Sequence, residues 1–286
     1  MAQPPIVILT DFGEADPFVA IMKGVIAQIS PHAQQIDLTH QVDPGDIQRG
    51  ALLLWQAYSH FPEDSVFLTV IDPGVGTDRK AICLKAHDRI FIGPDNGVFS
   101  YLIGPESKAW QLTNPRYQYH AQSATFHGRD IFAPAAAYAA TGIKGPEFGS
   151  RVSDLVQLPR PTLKRQGEFL VGEVLTHDRF GNLLTSFGRF TKTPSGILKF
   201  KAWLGSLPEF EIAASDLQVI LPGGGKLPLK NTFADVEKNS CAAVVGSTGL
   251  LEIVSNLASA AEILGLKRGE RLRLRPANKG SSFQSP

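Results

Sequence analysis

The chain has 286 residues, 43% of them hydrophobic and 19% charged, with a formal net charge of +1. That fits one large globular domain or two of ordinary size, and the lack of any long charged block argues against a nucleic-acid or membrane-surface partner. No apolar run approaches the roughly 20 residues of a membrane-spanning helix, and the start, MAQPPIVILTDFG, has too short an apolar run and too early an Asp to read as a signal peptide.

Ile6 to Thr10 is a short, branched, apolar run, which predicts a buried strand. A loop spans Asp11 to Asp16. Asp16-Pro17 reads as a helix start, with Asp as N-cap and Pro at the first helical position, and Val19, Met22, Val25, Ile26 and Ile29 follow at helical spacing. Gln35 to Thr39 is a second strand, Asp46 to His60 a helix with an apolar face of Ile47, Leu53, Leu54 and Ala57, and Val66 to Ile71 a third strand. This alternation predicts an α/β fold, a mostly parallel α/β sandwich. Ala81 to Lys85 and Arg89 to Ile92 add two strands around a tight turn, and Arg129 to Ala140 is an Ala-rich helix.

The texture changes near residue 155. LVQLPRPTLKRQGE carries two prolines and a cluster of charge, so the N-terminal α/β domain is placed at 1–155 and a linker at 156–166. From 167 to 276, short β-like runs are split by Gly, Pro and Asn: Phe169 to Leu175, Leu183 to Phe187, Leu198 to Leu204, Leu217 to Leu221, Ala242 to Val245, Leu250 to Val254 and Arg271 to Leu274. One helix, Ser255 to Leu264, interrupts them. The pattern predicts a smaller C-terminal β-barrel domain, followed by a disordered tail at 277–286. Cys83 and Cys241 lie in apolar runs, as buried free thiols do, which suits a reducing cytoplasm.

Ligands of an open parallel sheet bind beyond the carboxyl ends of its strands. Asp11, the stretch DLTHQVDPGD and Asp72 all fall there. Each has a structural use as well: Asp11 in an Asx-turn, Asp16 as a helix cap, Asp43 to Asp46 and GPDNG as turns. Asp72 ends an apolar strand, and a Pro-Gly-Val-Gly turn brings Arg79 back toward it. A guanidinium there holds a carboxylate ionised and oriented, whether for chemistry or as a structural ion pair. His127 precedes a Gly and a helix start, beside Thr125, Arg129 and Asp130. In HDRFGNLLTS, Asn182 offers donor and acceptor to a heterocycle edge and Phe180 a flat face. Asp11, Asp16, Asp72, His40 and His127 are oxygen and imidazole donors that suit a metal, but no metal-binding spacing occurs. LPGGGKLPL lacks the P-loop spacing and reads as a hairpin turn.

Together, ILTDFGEADPFVAIMKGVI, VIDPGVGTDRKAI, IGPDNGVFS, TFHGRDIFAPAAAY, HDRFGNLLTS and GSTGLLEIVSN resemble the S-adenosyl-L-methionine hydrolases, or SAM hydroxide adenosyltransferases, relatives of the fluorinase and chlorinase. The blocks run in order over nearly the whole chain. The resemblance implies a homotrimer binding SAM at subunit interfaces, and attack of water or hydroxide on C5′ to give adenosine and methionine. SAM is then substrate, with no cofactor and no metal. The family's Asp-Arg-His set falls on Asp72, Arg79 and His127, and its ribose carboxylate on Asp16 with Asp11 beside it. Its adenine site falls on Phe180, Asn182, Ser186, Ser247, Glu252 and Val254, the last through backbone, with Asp178 as a neighbour. The halogenating relatives carry an extra loop after the strand containing Cys83 and a Tyr where Asp72 stands; both departures favour hydroxide. Ser186 stands where the family pattern has Asn.

The residues suit that chemistry on their own account. A sulfonium leaves as a neutral thioether, so no general acid is needed; an oxygen nucleophile must be placed in line and bulk water excluded. Free water, with a pKa of about 15.7, needs a base or strong acceptor when no metal activates it. Asp72 or His127 serves as that acceptor, with Arg79 positioning Asp72 or stabilising hydroxide. Two rival readings are a metal-dependent nucleoside N-glycosidase and a non-catalytic SAM or adenosine sensor.

Overall fold

The computed structural model describes residues 3–120 and 123–276, and the chain divides into two units, Met1–Leu158 and Pro159–Pro286. The tail at 277–286 lies outside the described residues.

In the first unit β1 (Ile6–Thr10), α1 (Phe18–Ile29), β2 (Gln35–Thr39), α2 (Ile47–Ala57) and β3 (Val66–Val70) come first. The hairpin β4 (Ala81–Ala86) and β5 (Arg89–Pro94) follows, then β6 (Lys108–Gln111), α3 (Ala133–Ala140), α4 (Gly145–Phe148) and β7 (Arg151–Val152). One sheet takes them in the order β2-β1-β3-β5-β4-β6-β7. It is parallel from β2 to β5 and antiparallel from β5 to β7. Helical crossovers through α1 and α2 build the β2-β1-β3 part, whereas β5 joins β3 in parallel by way of β4 with no helix between them. The β4–β5 connection is a two-residue turn with His87 and Asp88 at φ 50° and 56°, the backbone that matches the twist of an antiparallel pair.

Strand side chains alternate between two apolar layers, as a period of two requires. Ile6, Ile8, Val66 and Leu68 pack with Met22 and Ile26 of α1 and the alanines of α3. Val7, Leu9, Phe67 and Ile71 pack with Leu54 of α2. Each fully buried Val, Leu, Ile, Phe or Met among them contributes about 1.5–3 kcal/mol.

The helix starts differ in a way that matters for the site. Asp46 caps α2, its carboxylate accepting from the Arg49 amide at 3.0 Å. Asp16 does not cap α1: the helix begins at Phe18, Pro17 occupies the N-cap position, and no side-chain cap bond forms. The expected Asp16 cap is corrected because the cap residue must immediately precede the first helical residue; Asp16 is left exposed. The Ala-rich helix opens as a π-helical turn over Gly128–Phe132 before α3.

The second unit holds β8 (Lys164–Gln166), β9 (Phe169–His177), β10 (Leu183–Thr185), β11 (Phe190–Lys192), β12 (Ile197–Phe200), β13 (Phe210–Ala213), β14 (Leu217–Ile220), β15 (Lys226–Pro228), β16 (Cys241–Val245), β17 (Leu251–Ser255), α5 (Ala260–Leu264) and β18 (Arg271–Pro276). The main sheet runs β15-β14-β18-β9-β10-β17-β16, with β8 added on β9. Its pairings are antiparallel. Just past β15, a Leu229–Ala243 bridge and the Lys230 amide donating to the Ala243 carbonyl at 2.8 Å bring the two edges together. The sheet is thereby a nearly closed barrel, which leaves less exposed edge on β15 and β16. A separate sheet, β11-β12-β13, places Phe200 on Phe210 in a stack at 4.5 Å.

The strand expected over Leu198 to Leu204 stops at Phe200, and that over Leu183 to Phe187 stops at Thr185. The expected helix is only α5, because Ser255 still belongs to β17 and Ser259 supplies the cap, accepting from the Glu262 amide at 3.1 Å. Among the described residues, no helix is long and apolar enough to cross a membrane.

Candidate active site

From β1 the chain goes to β2 on one side and then to β3 on the other. The crevice beyond the carboxyl ends of β1 and β3 is therefore the switch point at which open α/β sheets hold ligands. Asp11 is the first residue past β1; Ile71 and Asp72 follow β3.

Asp11 Oδ2 accepts from the Gly45 amide at 2.8 Å, which ties the loop after β2 to this crevice. Burial pushes the Asp11 carboxyl up, the Gly45 and Asp11 amides pull it down, and the nearby charge of Asp72 pushes it up again. The first and third strand ends thus share one electrostatic neighbourhood.

Turns at Asp72–Val75 and Gly74–Thr77 reverse the chain, so that Arg79 faces Asp72. Arg79 Nε lies 2.9 Å from Asp72 Oδ1 and 3.1 Å from Oδ2, and Nη2 lies 2.5 Å from Oδ2. The Asp72 side chain is only 4% exposed and that of Arg79 11%, so the pair is shielded from screening. The guanidinium also lies over the Phe132 ring, 5.2 Å from its centre.

The same Nη2 is 2.6 Å from His127 Nδ1. Arginine carries donors and no acceptor, so Nδ1 is the accepting nitrogen and the proton of the neutral ring sits on Nε2. Burial holds the imidazole below its usual pKa and the Arg79 charge adds to this, against the opposing charges of Asp72 and Asp130. His127 is fixed just ahead of the π-helical turn. Behind it, buried Asp130 takes Arg129 Nε at 2.5 Å and the Ser123 amide at 2.6 Å.

Asp16 stands exposed on the loop between Asp11 and α1. Rings of Phe12, Phe18 and Phe126 pack together, with Phe18 and Phe126 at 5.3 Å. His40 is not part of a donor cluster. It is 3% exposed, with Nδ1 2.9 Å from Thr10 Oγ1 and Nε2 2.9 Å from Asp37 Oδ1. Among the described residues, no group of three or more His, Cys, Asp or Glu is arranged to hold a metal ion.

In the second unit a tight connection joins β9 to β10. Asp178 organises it: Oδ1 accepts from the Phe180 and Asn182 amides at 2.8 and 2.9 Å, and Oδ2 from Asn182 Nδ2 at 2.9 Å. Gly181, at φ 80° and packed on Ser259, supplies the left-handed corner. Phe180 is consequently thrust outward, 71% exposed.

Leu251 and Ile253 of β17 fill the barrel core, so Glu252 and Val254 point to the opposite face. Glu252 is paired with Leu184 and Val244, and Gly246 leaves its carboxyl the space a Cβ would take. Burial, then the charge of Asp178, raises that carboxyl to about 7. Val254 is buried in a small cluster with Val236, Ala242 and Val244. Ser247 is exposed on the turn from β16 to β17. Ser186 is different: it is fully buried, its hydroxyl donating to the Thr162 carbonyl at 2.6 Å and accepting from the Glu173 amide at 2.8 Å. Its polar atom is already occupied inside the fold.

The SAM hydroxide adenosyltransferase N-terminal domain matches residues 6–149, and the corresponding C-terminal domain matches residues 172–273. The chain is 38% identical to a Thermus thermophilus (R)-S-adenosyl-L-methionine hydrolase, over 94% of this chain and 99% of the relative. It is 40% identical to a Salinispora tropica protein of the same name, over 95% and 97%. A Nocardia brasiliensis fluorinase is 28% identical, over 93% and 95%. A solved structure of an uncharacterised conserved protein from Thermotoga maritima superposes with a TM-score of 0.80 at 31% identity, covering 94% of this chain and 99% of that one.

Proposed function

The chain belongs to the SAM hydroxide adenosyltransferase family, and on that premise we propose that it hydrolyses S-adenosyl-L-methionine to adenosine and L-methionine. The observation that carries the proposal is the single guanidinium of Arg79 joining Asp72 and His127 at the β1/β3 switch point. A molecule that only sensed SAM needs ribose and adenine contacts and has no use for that buried pair.

Water or hydroxide attacks C5′ in line with the departing sulfur; the C5′–O bond forms as the C5′–S bond breaks, and methionine leaves neutral at sulfur with its methyl group. With Nδ1 accepting from Arg79, His127 presents Nε2–H, a donor. Asp72 is then the acceptor for the proton lost by water, and Arg79 fixes its direction. A buried, preorganised pair of this kind needs no reorganisation during the reaction. Asp16 and Asp11 hold the ribose hydroxyls. Phe180, Asn182, Ser247, Glu252 and the Val254 backbone form the adenine side. The carboxylate at position 72, in a chain more similar to the hydrolases than to the fluorinase, supports neutral water, which loses its proton to Asp72 as it attacks, over a halide anion, which a negative charge repels.

A homotrimer with substrate sites at subunit interfaces is part of the same proposal, supported by the family resemblance. So is a cytoplasmic setting, supported by the free thiols Cys83 and Cys241.

One reaction in isotopically labelled water with chloride added tests the reading by mass spectrometry. The expected products are adenosine labelled at the 5′-hydroxyl and unlabelled methionine. Adenine with labelled ribose would indicate an N-glycosidase, S-adenosylhomocysteine a methyl transfer, and 5′-chloro-5′-deoxyadenosine a halide nucleophile; any of these as main product overturns the proposal.

A further inference from the structure

The turn that carries Asp72 and Arg79 is held at both ends by two adjacent residues of another loop. β3 ends at Val70, and its register with β5 runs only to Leu68–Ile92. Past that point the Ile71 carbonyl, on the residue immediately before Asp72, accepts from Asn96 Nδ2 at 2.8 Å. The Lys80 carbonyl, on the residue immediately after Arg79, accepts from the Asp95 amide at 2.9 Å. The loop after β5 thus continues the work of the sheet with one side chain and one backbone N–H.

That loop is itself anchored. Asn96 Oδ1 accepts from the Val98 amide at 3.2 Å, which fixes which end of the side-chain amide faces Ile71. Gly97 turns at φ 98°, with Leu158 packed where a Cβ would stand. Asp95, 7% exposed, takes the Val156 amide on Oδ1 at 3.0 Å. Ser100 Oγ accepts from the Leu158 amide at 2.7 Å and donates to the Gly97 carbonyl at 2.6 Å. Only a donor satisfies the Ile71 carbonyl; a carboxylate at position 96 would set lone pairs against lone pairs.

We infer that Asn96 is a positioning residue for the reaction: its amide sets the direction in which Asp72 leaves β3, and with it the reach of Arg79 to His127. Among the described residues, the Asn96 side chain hydrogen-bonds to backbone groups, the Ile71 carbonyl and the Val98 amide, and it is not a catalytic residue. The kinetic consequence rests on the proposed function, while the geometric consequence does not. Arg79 Nη2 spans Asp72 and His127 at 2.5 and 2.6 Å, so a small rotation of the Ile71 peptide separates groups that have no slack. A misplacement of about 1 Å at a reacting site costs on the order of 100-fold in rate.

Asn96→Asp and Asn96→Ala test this with two readouts. The first is kcat, KM for SAM, and the number of SAM molecules bound per chain by calorimetry. Expected is a fall in kcat of about 10–100-fold with KM and stoichiometry near wild type. Lowering the pH should restore turnover relative to wild type in Asn96→Asp, whose protonated carboxyl again donates to Ile71, but not in Asn96→Ala. The second readout is the His127 imidazole titration by NMR, assigned with a His127→Asn control. In both variants a loosened Arg79 should let the His127 midpoint rise. Unchanged kcat in folded variants overturns the inference, as does a kcat that falls only in step with binding stoichiometry, or an unmoved His127 midpoint. If the wild type does not consume SAM, the proposed function fails, and the His127 titration still decides the role of Asn96.

Discussion

Replacing Asp72 with Asn keeps the side-chain size and removes the charge that holds Arg79. Three contacts, at 2.9, 3.1 and 2.5 Å, join the two side chains. An Asn retains one accepting oxygen and turns an NH2 group toward a guanidinium that cannot accept. Breaking a buried ion pair from one side costs about 3–5 kcal/mol, and a hydrogen bond to a charged group is worth about 1.5–3 kcal/mol. Arg79 keeps His127 and the Phe132 face, so the lower end is expected, about 2–3 kcal/mol of stability. The loss in turnover should be larger: removing one positioned acid-base group costs about 10²–10⁴-fold, or roughly 3–5 kcal/mol on the barrier. SAM affinity should survive, because ribose and adenine are held elsewhere. The assay is kcat from chromatography of adenosine, Kd from calorimetry and Tm from thermal unfolding, all on one preparation. Near wild-type turnover would refute the role of Asp72 as proton acceptor. Lost SAM binding with normal turnover of the bound fraction would move Asp72 to the substrate-holding side.

The remaining expectations are independent of one another. His127→Ala should lower kcat severely while SAM still binds; a KM effect alone would assign the ring to substrate binding. Burial and Asp178 raise the Glu252 carboxyl from 4.5 to about 7, so the folded chain keeps a proton that the unfolded chain releases. Stability from this group is full below 4.5 and is lost as pH rises to about 7. Glu252→Gln should therefore flatten the fall of Tm with pH across that window; an identical pH dependence in the two proteins would show that Glu252 titrates normally. Exhaustive dialysis against a chelator should leave turnover intact, since a sulfonium needs no Lewis acid to depart. Activity that returns only with added divalent ion would favour the N-glycosidase reading.

Several features were legible in the residues alone because they are local. Branched apolar runs and helical spacing mark β1, β3 and α1, whose alternating side chains meet two apolar layers. Asp72 and Arg79 lie seven positions apart across a Gly-rich turn, so their contact follows from chain reversal alone. Strands such as β8, β11 and β15 are three residues long with at most one apolar side chain; they are stabilised by partners elsewhere and leave little pattern. Asp16 shows the limit of a local rule, for a shift of one residue in the helix start turned an expected cap into an exposed carboxylate that caps no helix. The tertiary structure alone decided the polar partners distant in sequence. Arg79 reaches His127 across 48 positions, Asn96 reaches the Ile71 carbonyl across 25, and Thr162 and Glu173 occupy the Ser186 hydroxyl. The physical reason is that hydrophobic burial is non-directional and so records itself as periodicity. A hydrogen bond needs its donor and acceptor within about 3 Å and well aligned, a condition set by where distant strands end.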